Sequence, residues 1–386
     1  MMKAANDGIL KAINKTSAEF ARKELSQIVE KSGTEYFSSA YRAAVEKAWE
    51  LDFYQTLLPE SVEGSDLGCA ALCTILKNIC REDASFGTII LTTVTAYETL
   101  LAANRKSLLK TVTEGEGSAA EFLLGFPLLF HPAEQKIRVT ANEISGDYSL
   151  SGSLDYLVLA GFAGKALIPA VAENEAGFAF FLTDLTQPGV TISGPVRGLG
   201  ISACPVSDVV FEQVPAVQCC EWEEGPVIFD QVSSKLSVAV AAMQTGIMNG
   251  SFRDALDYTN KRKQGGRNII HWSEVKKILS GMAIHIQLAE MLVRQCCISI
   301  DTSEHGWEAD ANAAFIRISE MANDVTTDGI QVMGGVGYMK DFHQERRFRD
   351  ARHLMSIFGI QQLKILLFLE KHISKTAYYN PLEGSP

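Results

Sequence analysis

Residues 328–352 read DGIQVMGGVGYMKDFHQERRFRDAR. The segment in front of them carries Phe315, Ile318, Ala322 and Val325 at spacings of 3, 4 and 3, the period of an amphipathic helix. Gly334 and Gly335 interrupt that period. Taken alone, a glycine pair at this place is a helix C-cap and turn. The arginines of QERRFRDARH stand among acids, so a salt-bridged or solvated face is expected there rather than an anion site.

The same helical period extends toward the N-terminal side. Leu236, Val240, Met243 and Ile247 are spaced 4, 3, 4, as are Val275, Leu279, Met282 and Ile286. Long amphipathic helices packed as a bundle explain these spacings from about Val227 onward. Between about residues 120 and 225 the character changes. KIRVTANEISGDYSLSG (136–152), GFAFFLTDL (177–185), GVTISGP (189–195) and SDVVFEQVP (207–215) are short and rich in β-branched and aromatic residues. Glycine, proline and aspartate punctuate them, as they punctuate antiparallel strands. The first part of the chain is helical again. FARKELSQIVEKS (20–32) and SAYRAAVEKAWELDF (39–53) precede a loop, LLPESVEGSDLG (57–68), and another long helix from about Ala70. The expected class is α+β: an N-terminal helical domain (1–117), a middle antiparallel β domain (118–225) and a C-terminal four-helix bundle (226–386).

Composition narrows the function classes. The chain has 386 residues, 47% hydrophobic and 21% charged, with material for two or three domains and a large core. A formal charge of −11 argues against nucleic acid, whose phosphates require a basic face. No apolar run reaches the length of a membrane span, and no secretory signal stands at MMKAANDGILKAINKTS. The cysteines (Cys69, Cys73, Cys80, Cys204, Cys219, Cys220, Cys296, Cys297) show no C-x-x-C spacing, and the histidines no ligand spacing. Reduced packing thiols in a cytoplasm are expected, and no metal.

Four landmarks in this order resemble the acyl-CoA dehydrogenase family. LLPESVEGSDLG is similar to its P-E-x-x-G-G-x-G loop, and RGLGISACPVSDVVFEQVPA to the end of its β domain. NKRKQGGRNI resembles R-x-x-F-G-x-x-I. The opening stretch, the most specific of the four, resembles the Q-x-x-G-G-x-G-Y segment and the R-D-A-R/K start of the next helix. The resemblance implies a pair of dimers with FAD lying across each dimer interface, the flavin ring held by one subunit and the adenosine diphosphate half by its neighbour. It also implies removal of an α-proton from an acyl-CoA thioester, hydride transfer to the flavin, and electron transfer to an electron-transfer flavoprotein.

Against that pattern the chemistry-bearing positions stand altered. The proton must be taken by a carboxylate within hydrogen-bond reach, opposite the flavin face. The family's glutamate, in a Y-E-G-T loop, falls at Phe358 of SIFGIQQ (356–362), with Ile360 at the threonine. The alternative seat, in D-x-E-R, falls at Val232, with Ser233 where relatives carry a CoA-associated arginine. Asp230 is the nearest acid, and a helix N-cap or first-turn role is its expected one. The flavin-holding T-E-P-G-x-G-S-D corresponds to LLGFPLLFHPAEQK (123–136), and W-I-T to Tyr156-Leu157-Val158. The adenosine side is better kept: Gln331, Gly334 and Gly335 match Q-x-x-G-G, Arg262 and Gln264 match the arginine segment, and Gly265 and Ser273 depart from it. RGLGIS is no dinucleotide loop, since it lies among strands.

The expectation is therefore a subunit without its own catalytic residue. It would pair with a catalytic acyl-CoA dehydrogenase subunit, or with itself, and complete that partner's FAD site. A self-contained FAD enzyme with base-independent decarboxylation or desulfination, or with a displaced base, is the alternative. A CoA-binding scaffold is the third.

Overall fold

The computed structural model describes residues 2–26, 28, 39–62, 64–113, 117–144 and 146–376. FARKELSQIVEKS beyond residue 28, Glu63 of the loop and Ser145 of the first hairpin lie outside the described residues. Helices α1 (Met2–Phe20), α2 (Ser39–Glu50), α3 (Gly68–Glu82), α4 (Ala84–Ala102), α5 (Lys106–Thr113) and α6 (Ala119–Phe122) form the first layer. The single long helix expected from Ala70 is two. Asp83 leaves helical geometry (φ −148°, ψ 109°) and its carboxylate accepts the N–H groups of Ser85 (2.8 Å) and Phe86 (3.4 Å). That is an N-cap, which satisfies donors that a new helix leaves unpaired. Along α4 every residue from Ala84 to Leu100 is buried, and four of its five threonine hydroxyls bond back to the helix; Thr88, Thr92, Thr95 and Thr99 each donate to the carbonyl four residues earlier.

The middle region is a seven-stranded sheet in the order β1-β4-β5-β7-β3-β2, with β6 pairing β7. Its strands are β1 (Leu124–Gly125), β2 (Val139–Ile144), β3 (Asp147–Val158), β4 (Lys165–Ala170), β5 (Ala179–Asp184), β6 (Val190–Ile192) and β7 (Val206–Gln218). All pairings are antiparallel except the short parallel contact of β1 with β4, where the chain enters the sheet from a helix rather than from a hairpin. A further hairpin, β8 (Lys263–Gln264) with β9 (Arg267–Asn268), stands apart.

The last layer holds α7 (Glu224–Lys261), α8 (Ser273–Asp301), α9 (Trp307–Met333), α10 (Gln344–Leu354) and α11 (Gln361–Thr376). From Leu236 to Met248 α7 is buried without a break, because α3, α4, α8 and α9 all pack on it. Cross-links fix the direction of its neighbour: Asn312 reaches Ser234, Ser319 reaches Gln244, and Ser251 reaches the Val325 carbonyl. The partners advance together along both chains, so α7 and α9 are parallel and end at the same end of the bundle.

Candidate functional site

The loop 355–360 and the segment 123–136 meet directly. The Phe358 N–H donates to the Leu128 carbonyl at 2.7 Å, and the Ile360 N–H donates to Glu134 Oε1 at 2.7 Å. Gly359 has φ +107°, and a Cβ on it would stand 3.1 Å from the His131 side chain. Glycine is thus needed at 359 for both its conformation and the close approach of His131. Phe358 itself sits at φ +59°, uncommon for a residue with a ring. It is held there by burial and by edge-on contact with Phe229 (6.5 Å between centroids). Phe229 also packs against Phe130 at 5.7 Å and His131 at 5.3 Å. The two loops are therefore joined by backbone bonds and a plug of aromatic rings.

A polar-edged gap remains beside the plug. It is lined by His131, Asp230, Ser233, Asn312, Phe358 and Lys364 among others and holds about 30 Å³, space for a water or two. Lys364 is buried; its Nζ donates to the Met355 carbonyl at 2.7 Å and lies 4.3 Å from the Phe315 ring centre. Burial pushes its ammonium down to about 7. No spacing or motif marks this lysine, because its place beside residue 358 comes from the turn at Gly359 and the packing of α11 on α9. Val232, the other seat considered for a base, is buried hydrocarbon. Asp230 is neither an N-cap nor in the first turn. α7 starts at Glu224, so Asp230 lies in its second turn, against the gap.

Hydroxyl donors are absent from the stretch that would hold a flavin ring. Phe126 is buried, stacks on Phe180 at 5.9 Å between centroids, and exchanges backbone hydrogen bonds with Val158 at 3.3 Å. A cleft of about 350 Å³ lies outside the sheet between Phe130, Gln135, Arg138, Asp155 and Tyr156, and Phe358 does not border it. Abstracting a proton opposite a flavin requires ring and thioester to lie between the base and the flavin-holding segment. Here those two walls touch. The residues present do not fit the reacting half of FAD.

The expected adenosine-side residues gather elsewhere. Because α7 and α9 end together, the hairpin after α7 and the turn after α9 share one end of the bundle. Arg262, Gln264 and Gln331 are exposed there, as are Gly334 and Gly335. A Cβ on either glycine would meet nothing within 4 Å, so their backbone faces open space, and Gly334 (φ +62°, ψ −141°) adopts a conformation that favours glycine. The β8–β9 turn has Gly265 and Gly266 both at positive φ (+62° and +82°), which tight hairpins require. Trp272 covers Gly265, donates from Nε1 to the Gln264 carbonyl at 3.3 Å, and carries the Arg267 guanidinium 3.7 Å from its ring centre. Lys261, Arg262, Lys263 and Arg267 make this end cationic in an acidic chain. Exposed cations and bare backbone of this kind suit a pyrophosphate approaching from outside.

The arginine run is structural. Arg347 is buried and bonds Asp254 Oδ2 through Nη2 at 3.0 Å and the Arg81 carbonyl through Nη1 at 2.6 Å, so its face is salt-bridged but not solvated. Asp350 does not start a helix. It lies late in α10, buried, and accepts the Ile201 N–H at 2.7 Å, tying the bundle to the connection between β6 and β7. The cysteine spacing suggests no zinc site, yet the fold brings the Cys69, Cys73 and Cys297 sulfurs within 4.8 Å of one another. Among the described residues no helix is long and apolar enough to cross a membrane.

Residues 10–113 match the profile of the acyl-CoA dehydrogenase N-terminal domain, and residues 236–370 that of the acyl-CoA dehydrogenase C-terminal domain. The chain is 25% identical to 3-(aryl)acrylate reductase of Clostridium sporogenes, over 91% of this chain and 95% of that protein. It is 24% identical to the caffeyl-CoA reductase–Etf complex subunit CarC of Acetobacterium woodii, over 92% and 95%. Butyryl-CoA dehydrogenase from Megasphaera elsdenii has the same fold, with a TM-score of 0.84 at 21% identity over 95% of this chain and 98% of that one.

Proposed function

The chain belongs to the acyl-CoA dehydrogenase family, and from that premise we propose that it is a non-catalytic subunit that completes the FAD site of a catalytic partner. One observation carries the proposal: the bond from the Phe358 N–H to the Leu128 carbonyl closes the space in which flavin and thioester would meet. The two seats for the base are filled by Phe358 and Val232, both buried. At the far end of the bundle Arg262, Gln264, Gln331, Gly334 and Gly335 remain exposed, the groups a neighbour's pyrophosphate would use. FAD is then shared: its ring belongs to the partner, and its adenosine half rests on this chain. The partner is a family member that retains its glutamate and its T-E-P-G-x-G-S-D loop and acts on an acyl-CoA. A relative named as a subunit of a complex with an Etf supports an electron-transfer flavoprotein as the electron acceptor of that assembly.

The chain is to be purified alone and together with such a partner. Alone it carries little FAD absorbance and reduces no dye with acyl-CoA substrates; together, the assembly carries flavin. Arg262→Ala then lowers flavin occupancy on the partner several-fold while both chains stay associated. Full FAD loading with turnover by the isolated chain overturns the proposal. Base-independent chemistry on this chain would also need a ring slot, and its hallmark, a flavin spectrum in the protein purified alone, separates the two readings.

A further inference from the structure

Cys69 and Cys73 stand one turn apart on α3, and Cys297 and Asp301 one turn apart on α8, which packs against it. The three sulfur atoms are buried and lie within 4.8 Å of one another, with 3.8 Å between those of Cys69 and Cys73. A tetrahedral ion with bonds to sulfur of about 2.3 Å holds its sulfurs about 3.8 Å apart. A disulfide would need about 2.05 Å. The 3.8 Å between the Cys69 and Cys73 sulfurs matches two ligands on one ion and is too long for a disulfide.

The surroundings support the same reading. Asp301 Oδ1 accepts the Cys69 N–H at 2.9 Å, which fixes the turn bearing the first thiol. A cavity of about 700 Å³ between α1, α3, α7 and α8 is lined by Cys73, Cys297 and Asp301, with Lys77, Glu290 and Arg294 also in its wall. An ion therefore has a route in, and a fourth position is open on that side.

We propose that Cys69, Cys73 and Cys297 form a three-thiolate site for a thiophilic divalent cation, Zn²⁺ being the physiological occupant. Binding replaces each remaining S–H bond by a metal–sulfur bond and sends the proton to solvent; no electron is transferred. The ion pins α3 of the N-terminal layer to α8 of the bundle, independently of flavin and of any partner.

The test uses the full chain, reduced and metal-free, titrated with Cd²⁺ and, separately, Zn²⁺. Cd²⁺ produces a thiolate-to-metal charge-transfer band in the ultraviolet that saturates at one ion per chain, and Zn²⁺ abolishes the band competitively. Cys73→Ser and Cys297→Ser each lower affinity at least a hundredfold, whereas Cys296→Ser, one residue away, retains the site. Circular dichroism of each variant shows whether it has folded. Should a serine variant not fold, protection of Cys69, Cys73 and Cys297 in the unaltered chain from alkylation by stoichiometric Zn²⁺, read by peptide mapping, decides the matter. Absence of a saturable band, no protection by Zn²⁺, or a disulfide among these three cysteines in the native protein overturns the proposal.

Discussion

Restoring a carboxylate at position 358 should not create a dehydrogenase; it should loosen the fold. Phe358→Glu removes a buried ring from contact with Phe229 and leaves a carboxyl group in a gap of about 30 Å³. Loss of a buried phenyl costs about 3–5 kcal/mol. Each unit by which burial raises the new carboxyl's pKa adds about 1.4 kcal/mol near neutral pH. The sum is a large fraction of the roughly 5–15 kcal/mol that stabilises a domain. Since the folded-state pKa would lie above the unfolded one, the variant should regain stability as pH falls through the folded pKa toward about 4.3, below which both states bind the proton. Two further substitutions dissect the effect. Phe358→Ala lacks the charge and should lose only the packing. Phe358→Gly should be no less stable than Phe358→Ala, reversing the usual order by about 1 kcal/mol or more, because φ is +59° here. Urea unfolding monitored by tryptophan fluorescence, at pH 5 and 7.5, measures all three. Dye reduction with a panel of acyl-CoA compounds measures activity. Acyl-CoA-dependent flavin bleaching by Phe358→Glu, without loss of stability, would refute the reasoning about the closed gap.

Lys364→Met should change the pH dependence of stability between 7 and 10. The folded ammonium titrates at about 7, below its unfolded value, so the unfolded state binds more protons in this window and native stability rises with pH. The variant should lack that rise, which burial limits to about 4–5 kcal/mol; parallel curves for the two proteins would contradict the assigned burial of charge. Glu82 accepts from Arg253 at 2.5 and 3.0 Å, and although burial raises its pKa, Arg253 and its cationic neighbours bring the net value below the ordinary one. Its contribution is present above the unfolded pKa and is lost as pH falls through the folded one. Glu82→Gln should therefore cost about 1–3 kcal/mol at pH 7 and much less at pH 3, as read by thermal unfolding.

The local pattern alone was enough to order the chain as helices, sheet and bundle. Amphipathic spacing and β-branched alternation are properties of neighbouring residues, and a core-facing stripe leaves a period whatever it packs against. Motif order likewise carried the family, since Q-x-x-G-G and its arginine-rich sequel are contiguous. That Phe358 and Val232 stand at the two expected seats of a base was also a matter of single letters. What those letters could not disclose is that the two loops touch. That contact depends on an N–H from residue 358 meeting a carbonyl at residue 128, and no spacing rule joins positions so far apart. Asp83 splitting a helix, Lys364 entering the gap and three thiols converging from two helices have the same origin. Each is decided by which surfaces the folded chain presses together, an outcome of packing over the whole core that no short window of sequence contains.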